Sequence, residues 1–458
     1  MSQISLEHER EARRRLWKRM ASLVLPMALQ NLFTSLVSAS DALMLGGLSQ
    51  SGLSAVSLAT QVTFVHTLFI GGLMIGESSM AAQYWGKGDR KAVEKILGIS
   101  TRYALLISLL FSLATLLLPR QLMRLFTPDE ELIALGARYL RVVSPMYLMA
   151  ALSQLYLCIM KNSERVARSS VYGTVPVVLN LLLNAVFIYG LLGLPKLEIA
   201  GAALATVLAK AVELALVLTE NRRAEVKLRL RHLTERNPLL RREYWKYTRP
   251  VLANMIAWGG GVTMYSVLMG HLGSDAVAAN SLASIVRNLI GCVASGFGTG
   301  AGILVGNELG ADKLAEARAD TRRILRMALI VGAVSGAVLL LASPLILRFS
   351  TTLSDTAHGY LRLMLWMCSY YMIGSSFNQT LISGIFVAGG DTRFGFWCDL
   401  INIWGFIRPV ALLAMTVFHA PVPVVFFILT MDEIIKIPVE VHHYHKYKWV
   451  RNITRENV

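Results

Sequence analysis

MASLVLPMALQNLFTSLVSASDALMLGGL, residues 20–48, is long enough to cross a bilayer and carries one charge, Asp41. About 20 apolar residues suffice to span hydrocarbon as a helix. A carboxylate held there is expensive, so chains rarely keep one without a use for it. The stretch therefore reads as a membrane-spanning helix, and Asp41 is either a functional group or a structural hydrogen bond to a neighbouring helix.

Stretches of the same kind recur along all 458 residues. Hydrophobic residues make up 54% of the chain and charged ones only 16%, and the mean hydropathy is +0.52. Soluble domains carry about 25% charge. The apolar runs predict an all-α polytopic membrane protein with twelve helices, at roughly 17–48, 51–85, 92–118, 132–160, 166–191, 198–220, 245–272, 274–308, 316–347, 356–388, 393–418 and 420–443. No segment is left over for a soluble domain. The first run is too long for a cleavable signal peptide and has no small-residue cleavage site. Cys158, Cys292, Cys368 and Cys398 lie far apart in apolar runs and read as small buried hydrophobes.

The net charge of +16 would suggest nucleic acid in a soluble protein. Here it marks a side of the membrane. With twelve spans, 32 Lys and Arg fall on the side of the termini and four on the other. The positive-inside rule then puts both termini in the cytoplasm of a multi-pass plasma-membrane protein. The basic segment 221–244 becomes a cytoplasmic linker between an N-terminal lobe (1–220) and a C-terminal lobe (245–458), able to touch anionic lipid headgroups.

The two halves echo one another. Pro26 and Pro250, Gly46 and Gly270, Leu48 and Leu272, Ala55 and Ala279, Gly76 and Gly300, and Gly86 and Gly310 are each 224 residues apart. Six helices return the chain to its starting side. The repeat therefore predicts two six-helix bundles of the same orientation, related by an axis along the membrane normal, as in transporters that handle cargo between such halves.

A rise of 1.5 Å per residue places Asp41 and Asn184 roughly 10 Å from the outer ends of their helices. Asn180 lies four residues before Asn184, on the same face. Thr206, on the following helix, comes to about the same depth. The four groups read as one cluster that suits H+ or Na+, Na+ being a metal site of Asp41, Asn180, Asn184 and Thr206. The asparagines read equally as interhelical hydrogen bonds. Pro26 removes one main-chain hydrogen bond from the first helix, giving it either a fixed kink or a point of bending.

Other charges fall inside the membrane. Lys210 and Glu213, three apart, are expected to pair with each other. Glu77 has no such neighbour. Arg287 and Arg408 on the eighth and eleventh helices are expected to pair with Asp432 and Glu433 on the twelfth, as structural or substrate-cavity charges. Asp399 lies on the opposite face from Arg408 and should not pair with it. Asp129-Glu130-Glu131 reads as a solvated loop.

Ordered stretches of sequence then carry a resemblance: SASDALMLGGL (38–48), AAQYWGKGD (81–89), PVVLNLLLNAVFIYG (176–190), GAALAT (201–206), MYSVLMGHLGSDAVAA (264–279), VGNELGA (305–311) and AGGDTRF (388–394). Through these the chain resembles the multidrug and toxic compound extrusion (MATE) family over nearly its full length. The resemblance implies two six-helix bundles forming a V around a central cavity. It also implies export of organic cations or other amphipathic small molecules by alternating access, in exchange for inward H+ or Na+. Asp41, Asn180 and Thr206 match positions of the family's first-lobe cation site, and Asn184 stands where many members have aspartate. Around Asn254-Met255 many members carry an acid, and this chain has none.

The expectation is thus a monomeric, cation-coupled antiporter among membrane lipids, with no cofactor and no enzymatic activity. The alternative is a lipid-linked saccharide or lipid flippase of the same superfamily. Twelve spans argue against it, and Arg287 and Arg408 favour it. A major-facilitator carrier lacks support because GKGDRK (86–91) is missing the second half of that family's loop motif. An intramembrane enzyme would need acid pairs for Mg2+ or a nucleophile beside a base, and neither pattern occurs.

Overall fold

A computed structural model describes residues 3–46, 50–193, 196–235, 237–350 and 353–456. Each of the twelve predicted segments is helical. The first three are α1 (Gln3–Gly46), α2 (Gln50–Lys87) and α3 (Arg90–Leu117). The fourth is broken into α4 (Glu130–Val143) and α5 (Met146–Asn162), bent by 50° at Pro145, which has no N–H to continue the ladder. Then follow α6 (Val166–Tyr189), α7 (Glu198–Arg223), α8 (Pro238–His271), α9 (Ser274–Gly310) and α10 (Leu314–Phe349).

The last three spans are less regular than a hydropathy profile predicts. The tenth is α11 (Asp355–Asn378) continued by a π-helix, Gln379–Phe386. The eleventh is α12 (Thr392–Leu400), a second π-helix, Ile401–Ile407, and α13 (Arg408–Thr416). The twelfth is three short helices, α14 (Val422–Thr430), α15 (Asp432–Ile435) and α16 (Ile437–Tyr444), with Pro438 in the first turn of the last. Among the described residues nine helices are long and apolar enough to cross a membrane, ten if α4 and α5 count as one span. Leu110, Leu117, Leu341 and Trp366 are each at least two-thirds exposed, as side chains facing lipid would be.

Local chemistry sets the helix ends. Asp89 caps α3 by accepting from Ala92 N at 3.0 Å, and Ser354 caps α11 through Ala357 N at 3.1 Å. Asp129 accepts from Glu131 N and Leu132 N, so the acid run expected as a loop starts a helix instead. Its Glu130 is held by Arg120 and Arg124 at 2.8 and 3.0 Å. Asn237 accepts from Leu240 N, which starts α8 inside the segment expected as linker. At the end of α6, Gly190 takes the left-handed conformation that glycine adopts without strain.

The chain forms two compact units. One comprises Gln30–Ala81 and Asp89–Trp245; the other Met1–Leu29, Ala82–Gly88 and Lys246–Asn457. In the first, Val56, Met123, Leu140, Tyr147 and Ile188 form the buried core. In the second, one core gathers Met20, Phe297, Leu304 and Trp449, and another Met269, Leu361, Leu365 and Phe426.

The basic linker is docked rather than free. Lys227 N donates to Glu94 Oε1 at 2.8 Å, and Arg229 Nε lies 3.2 Å from Glu94 Oε2. A Cβ on Gly98 would sit 2.6 Å from the His232 Cβ, so only glycine lets the linker approach α3 this closely.

Candidate functional site

Within the first unit, α6 and α7 form an antiparallel pair, tied at the turn by Leu197 N donating to Phe187 O at 3.0 Å. They bring three of the four expected residues together. Asn184 Nδ2 donates to Asn180 Oδ1 at 3.3 Å, Asn180 Nδ2 to Thr206 Oγ1 at 3.4 Å, and Thr206 Oγ1 to Ala202 O at 2.9 Å. Asn184 is buried. The result is a chain of amide and hydroxyl oxygens at membrane depth.

Asp41 lies in α1, but its side chain is outside the described residues, as is Leu48 of the repeat. The backbone still fixes its level. Tyr189 Oη donates to Met44 O at 3.3 Å, and Gly173 packs on the Gln30 side chain. Two contacts in the same order show α1 and α6 running parallel. Asp41 is then about 4.5 Å short of the Tyr189–Met44 contact and Asn184 about 7.5 Å short of it, nearly one level.

Two further buried acids of this unit have local partners, although Glu77 Oε2 receives no hydrogen bond. Glu213 receives Lys210 Nζ at 2.6 Å, as the spacing predicts, and also Ser153 Oγ at 2.5 Å. Glu77, fully buried, accepts from Ser100 Oγ at 2.5 Å.

The second unit holds a cavity of about 280 Å3 whose walls include Asn254, Trp258, Asn378, Asp399, Asp432 and Lys436. The expected pairing of Arg287 and Arg408 with Asp432 and Glu433 is not formed. Lys436 takes the acids instead: its Nζ lies 3.0 Å from Asp399 Oδ1 and 3.3 Å from Glu433 Oε2. Asn254 Nδ2 donates to Asp399 Oδ2 at 2.9 Å, and Asn378 Nδ2 to Glu433 Oε2 at 2.6 Å. Arg408 lies over the Tyr265 ring and Arg287 over that of Tyr371, at 5.6 and 5.1 Å. Asp399 is held by Lys436 and Asn254, and no ion pair joins it to Arg408 among the described residues. Lys436 was missed by sequence reasoning, although its place four residues after Asp432 and three after Glu433 on an apolar span was a usable signal.

The MatE family profile matches residues 26–186 and 250–413, most of both halves. The chain belongs to the MatE family. It is therefore a multi-pass membrane protein of a transporter family, not of an enzyme family. A probable multidrug resistance protein, NorM of Bradyrhizobium diazoefficiens, is 27% identical over 85% of this chain and 84% of its own length. Another, YoeA of Bacillus subtilis, is 23% identical over 90% and 89%. Among solved structures, the Vibrio cholerae MATE transporter VcmN superposes with a TM-score of 0.87 at 18% identity, over 95% of this chain and 98% of that one. A MOP superfamily transporter from Pyrococcus furiosus gives 0.85 at 17%, over 94% and 95%. Those two show the MatE fold and leave the roles of individual residues to the geometry above.

Proposed function

We propose that the protein is an antiporter of the plasma membrane that exports organic cations or other amphipathic compounds in exchange for inward H+ or Na+. The observation that carries this reading is the Asn184–Asn180–Thr206 chain at the level of Asp41. A carboxylate beside amide and hydroxyl oxygens, shielded from water, can hold a proton or Na+ and release it when the surroundings repack. The relatives are named as probable multidrug resistance proteins, which supports the cargo class.

In this reading the ion loads on Asp41 from outside and changes the packing of α1 against α6 and α7. Pro26 is the point on α1 where a main-chain hydrogen bond is absent. The helix passes from one compact unit to the other between Leu29 and Gln30, one turn beyond it. That is where a bend would couple ion binding to release of cargo. The lobes are 1–220 and 245–458, the protein acts as a monomer, and both termini are cytoplasmic on the charge asymmetry.

The test is efflux of a fluorescent organic cation from reconstituted vesicles under separate Na+ and pH gradients. Asp41→Asn keeps the shape and should insert normally but lose gradient-driven efflux. Undiminished efflux would sink the assignment. Flippase activity is the second reading, favoured by Arg287 and Arg408 standing without an acid within ion-pair distance among the described residues. No cation movement under either gradient would select it.

A further inference from the structure

Arg102 stands where two surfaces of the first unit meet. Beyond it on α3 runs a row of exposed leucines, Leu106, Leu110, Leu113 and Leu117. Their spacing of three or four residues puts them on one side of the helix, the side that meets lipid. One turn before Arg102 lies Gly98, with His232 of the docked linker packed on it. Arg102 itself is exposed and has no acid within ion-pair distance among the described residues.

The start of α8 repeats this order. From the linker the helix rises through Arg241 and Arg242 to Trp245, whose ring meets that of Tyr103 edge-on at 4.8 Å. Gly98 to Tyr103 is five residues and Pro238 to Trp245 seven, so the two rings stand about 7.5–10 Å from the linker. An indole and a phenol at one level mark the boundary between hydrocarbon and headgroups. Arg241 and Arg242, one turn below the indole, are exposed and have no acid partner among the described residues; the same holds for Arg231 on the linker. Nearby acids are engaged elsewhere: Glu94 by Arg229 at 3.2 Å, Glu225 by Arg90 at 2.9 Å and Glu235 by His232 at 2.6 Å. The linker and the first turn of α8 also expose Leu230 by 82% and Leu239 by 44%. Water penalises that exposure, whereas the acyl boundary of a leaflet rewards it.

We propose that this side of the first unit is a binding surface for anionic phospholipid. Arg102, Arg241 and Arg242 hold the phosphodiester, for which guanidinium geometry is suited. The linker lies in the headgroup layer, with Leu230 and Leu239 among the upper acyl carbons. The first turns of α3, expected from sequence to be embedded from residue 92 onward, then lie outside hydrocarbon. This spares Arg102 a position about 15 Å inside it. The proposal concerns lipid alone and is independent of the cargo and the coupling ion. A basic loop that only sets topology predicts something different: no lipid at Leu230 and no headgroup preference.

The experiment uses the full-length protein in vesicles of equal parts phosphatidylcholine and phosphatidylglycerol. The photocrosslinker p-benzoylphenylalanine is placed in place of Leu230 or, as a control on the lipid-facing row, of Leu110, and adducts are read by mass spectrometry. The Leu110 position should capture both lipids alike. The Leu230 position should capture phosphatidylglycerol about fivefold over phosphatidylcholine. Combining Arg102→Gln, Arg241→Gln and Arg242→Gln should bring that ratio down to the Leu110 value, while the three Arg→Lys changes should keep most of it. Lipid adducts at Leu110 but none at Leu230, or equal capture of the two lipids at Leu230, would overturn the proposal. Adducts at Leu230 to a second copy of the chain in place of lipid would do the same. Loss of the preference on adding inorganic phosphate, but not chloride of equal ionic strength, would assign the arginines to a soluble anion instead. If the triple Gln variant fails to fold, the comparison of Leu230 with Leu110 decides without it.

Discussion

Gly86 of α2 and Gly310 of α9 occupy equivalent places in one helix crossing. A Cβ on Gly86 would sit 2.0 Å from the carbonyl oxygen of Asn307, and one on Gly310 would sit 1.8 Å from that of Gln83. Gln83 and Asn307 are separated by the same 224 residues as the two glycines. Each segment offers its glycine to the other's backbone. Such a reciprocal contact is what a two-fold axis produces, so the repeat seen in sequence has a structural counterpart.

Alanine at either glycine must therefore push backbone from backbone. We expect Gly86→Ala and Gly310→Ala each to destabilise by about 3 kcal/mol or more. Gly270→Ala and Gly291→Ala, where a Cβ meets nothing within 4 Å, should leave stability unchanged or slightly higher. Thermal unfolding in detergent checks both pairs.

Lys210 and Glu213 give a prediction about paired removal. Lys210→Met leaves Glu213, 2% exposed, with the Ser153 hydroxyl as its one side-chain hydrogen bond among the described residues, and should destabilise by about 3 kcal/mol. Lys210→Met combined with Glu213→Gln removes the orphaned charge and should recover much of that loss. A double-mutant cycle on unfolding midpoints measures the coupling. Simple additivity would mean the pair contributes nothing specific.

Hydropathy made the twelve spans legible because burial in lipid selects apolar residues over whole segments. The Asn180–Asn184–Thr206 chain was legible because helical rise converts sequence distance into depth. The breaks in the last three spans were not, since a window that detects a span averages over a single wide turn. The Lys436–Glu433 pair could have been read from its spacing, but the pair with Asp399 was hidden, because that acid lies on a different span and only packing brings the two together. The docking of the linker on Glu94 and the burial of Trp449 are contacts between distant segments that no local pattern encodes.

The linker should come off when its anchor is cut. Glu94→Gln loses the charge that holds Arg229, and Gly98→Ala forces His232 away. Trypsin should then cut after Arg229 and Arg231 several-fold faster than in the wild type. Acid should act in the same direction. The hydrogen bond from His232, 2.6 Å away, holds the Glu235 carboxyl below its ordinary pKa of 4.5. A depressed carboxyl stabilises above the unfolded value, and its contribution disappears as pH falls through the folded one. Cleavage should accelerate below about pH 4.5, measured with an acid-active protease against a linker-free fragment as control.

The C-terminal segment gives the last prediction. Trp449 is fully buried, and its neighbours clamp the end of α2 to the turn after the tenth span. Gln83 uses both ends of its amide, donating to Ala388 O at 2.7 Å and accepting from Ile453 N at 2.8 Å. Arg451 donates from Nε to Gly389 O at 2.8 Å and from its terminal nitrogen to Gly390 O at 2.5 Å. Gly389 has no room for a side chain against the Trp449 carbonyl. Trp449→Ala removes the largest of these buried groups and should destabilise by about 3–5 kcal/mol. Gln83→Ala removes three hydrogen bonds at once, one of them a long 3.2 Å contact to Arg451 O, and should destabilise by about 2–3 kcal/mol. If the segment only decorates a finished fold, deleting residues after His445 would leave the unfolding midpoint where it was. We expect that truncation to lower the midpoint by at least as much as Trp449→Ala, because it takes away the indole and the Gln83 and Arg451 hydrogen bonds together.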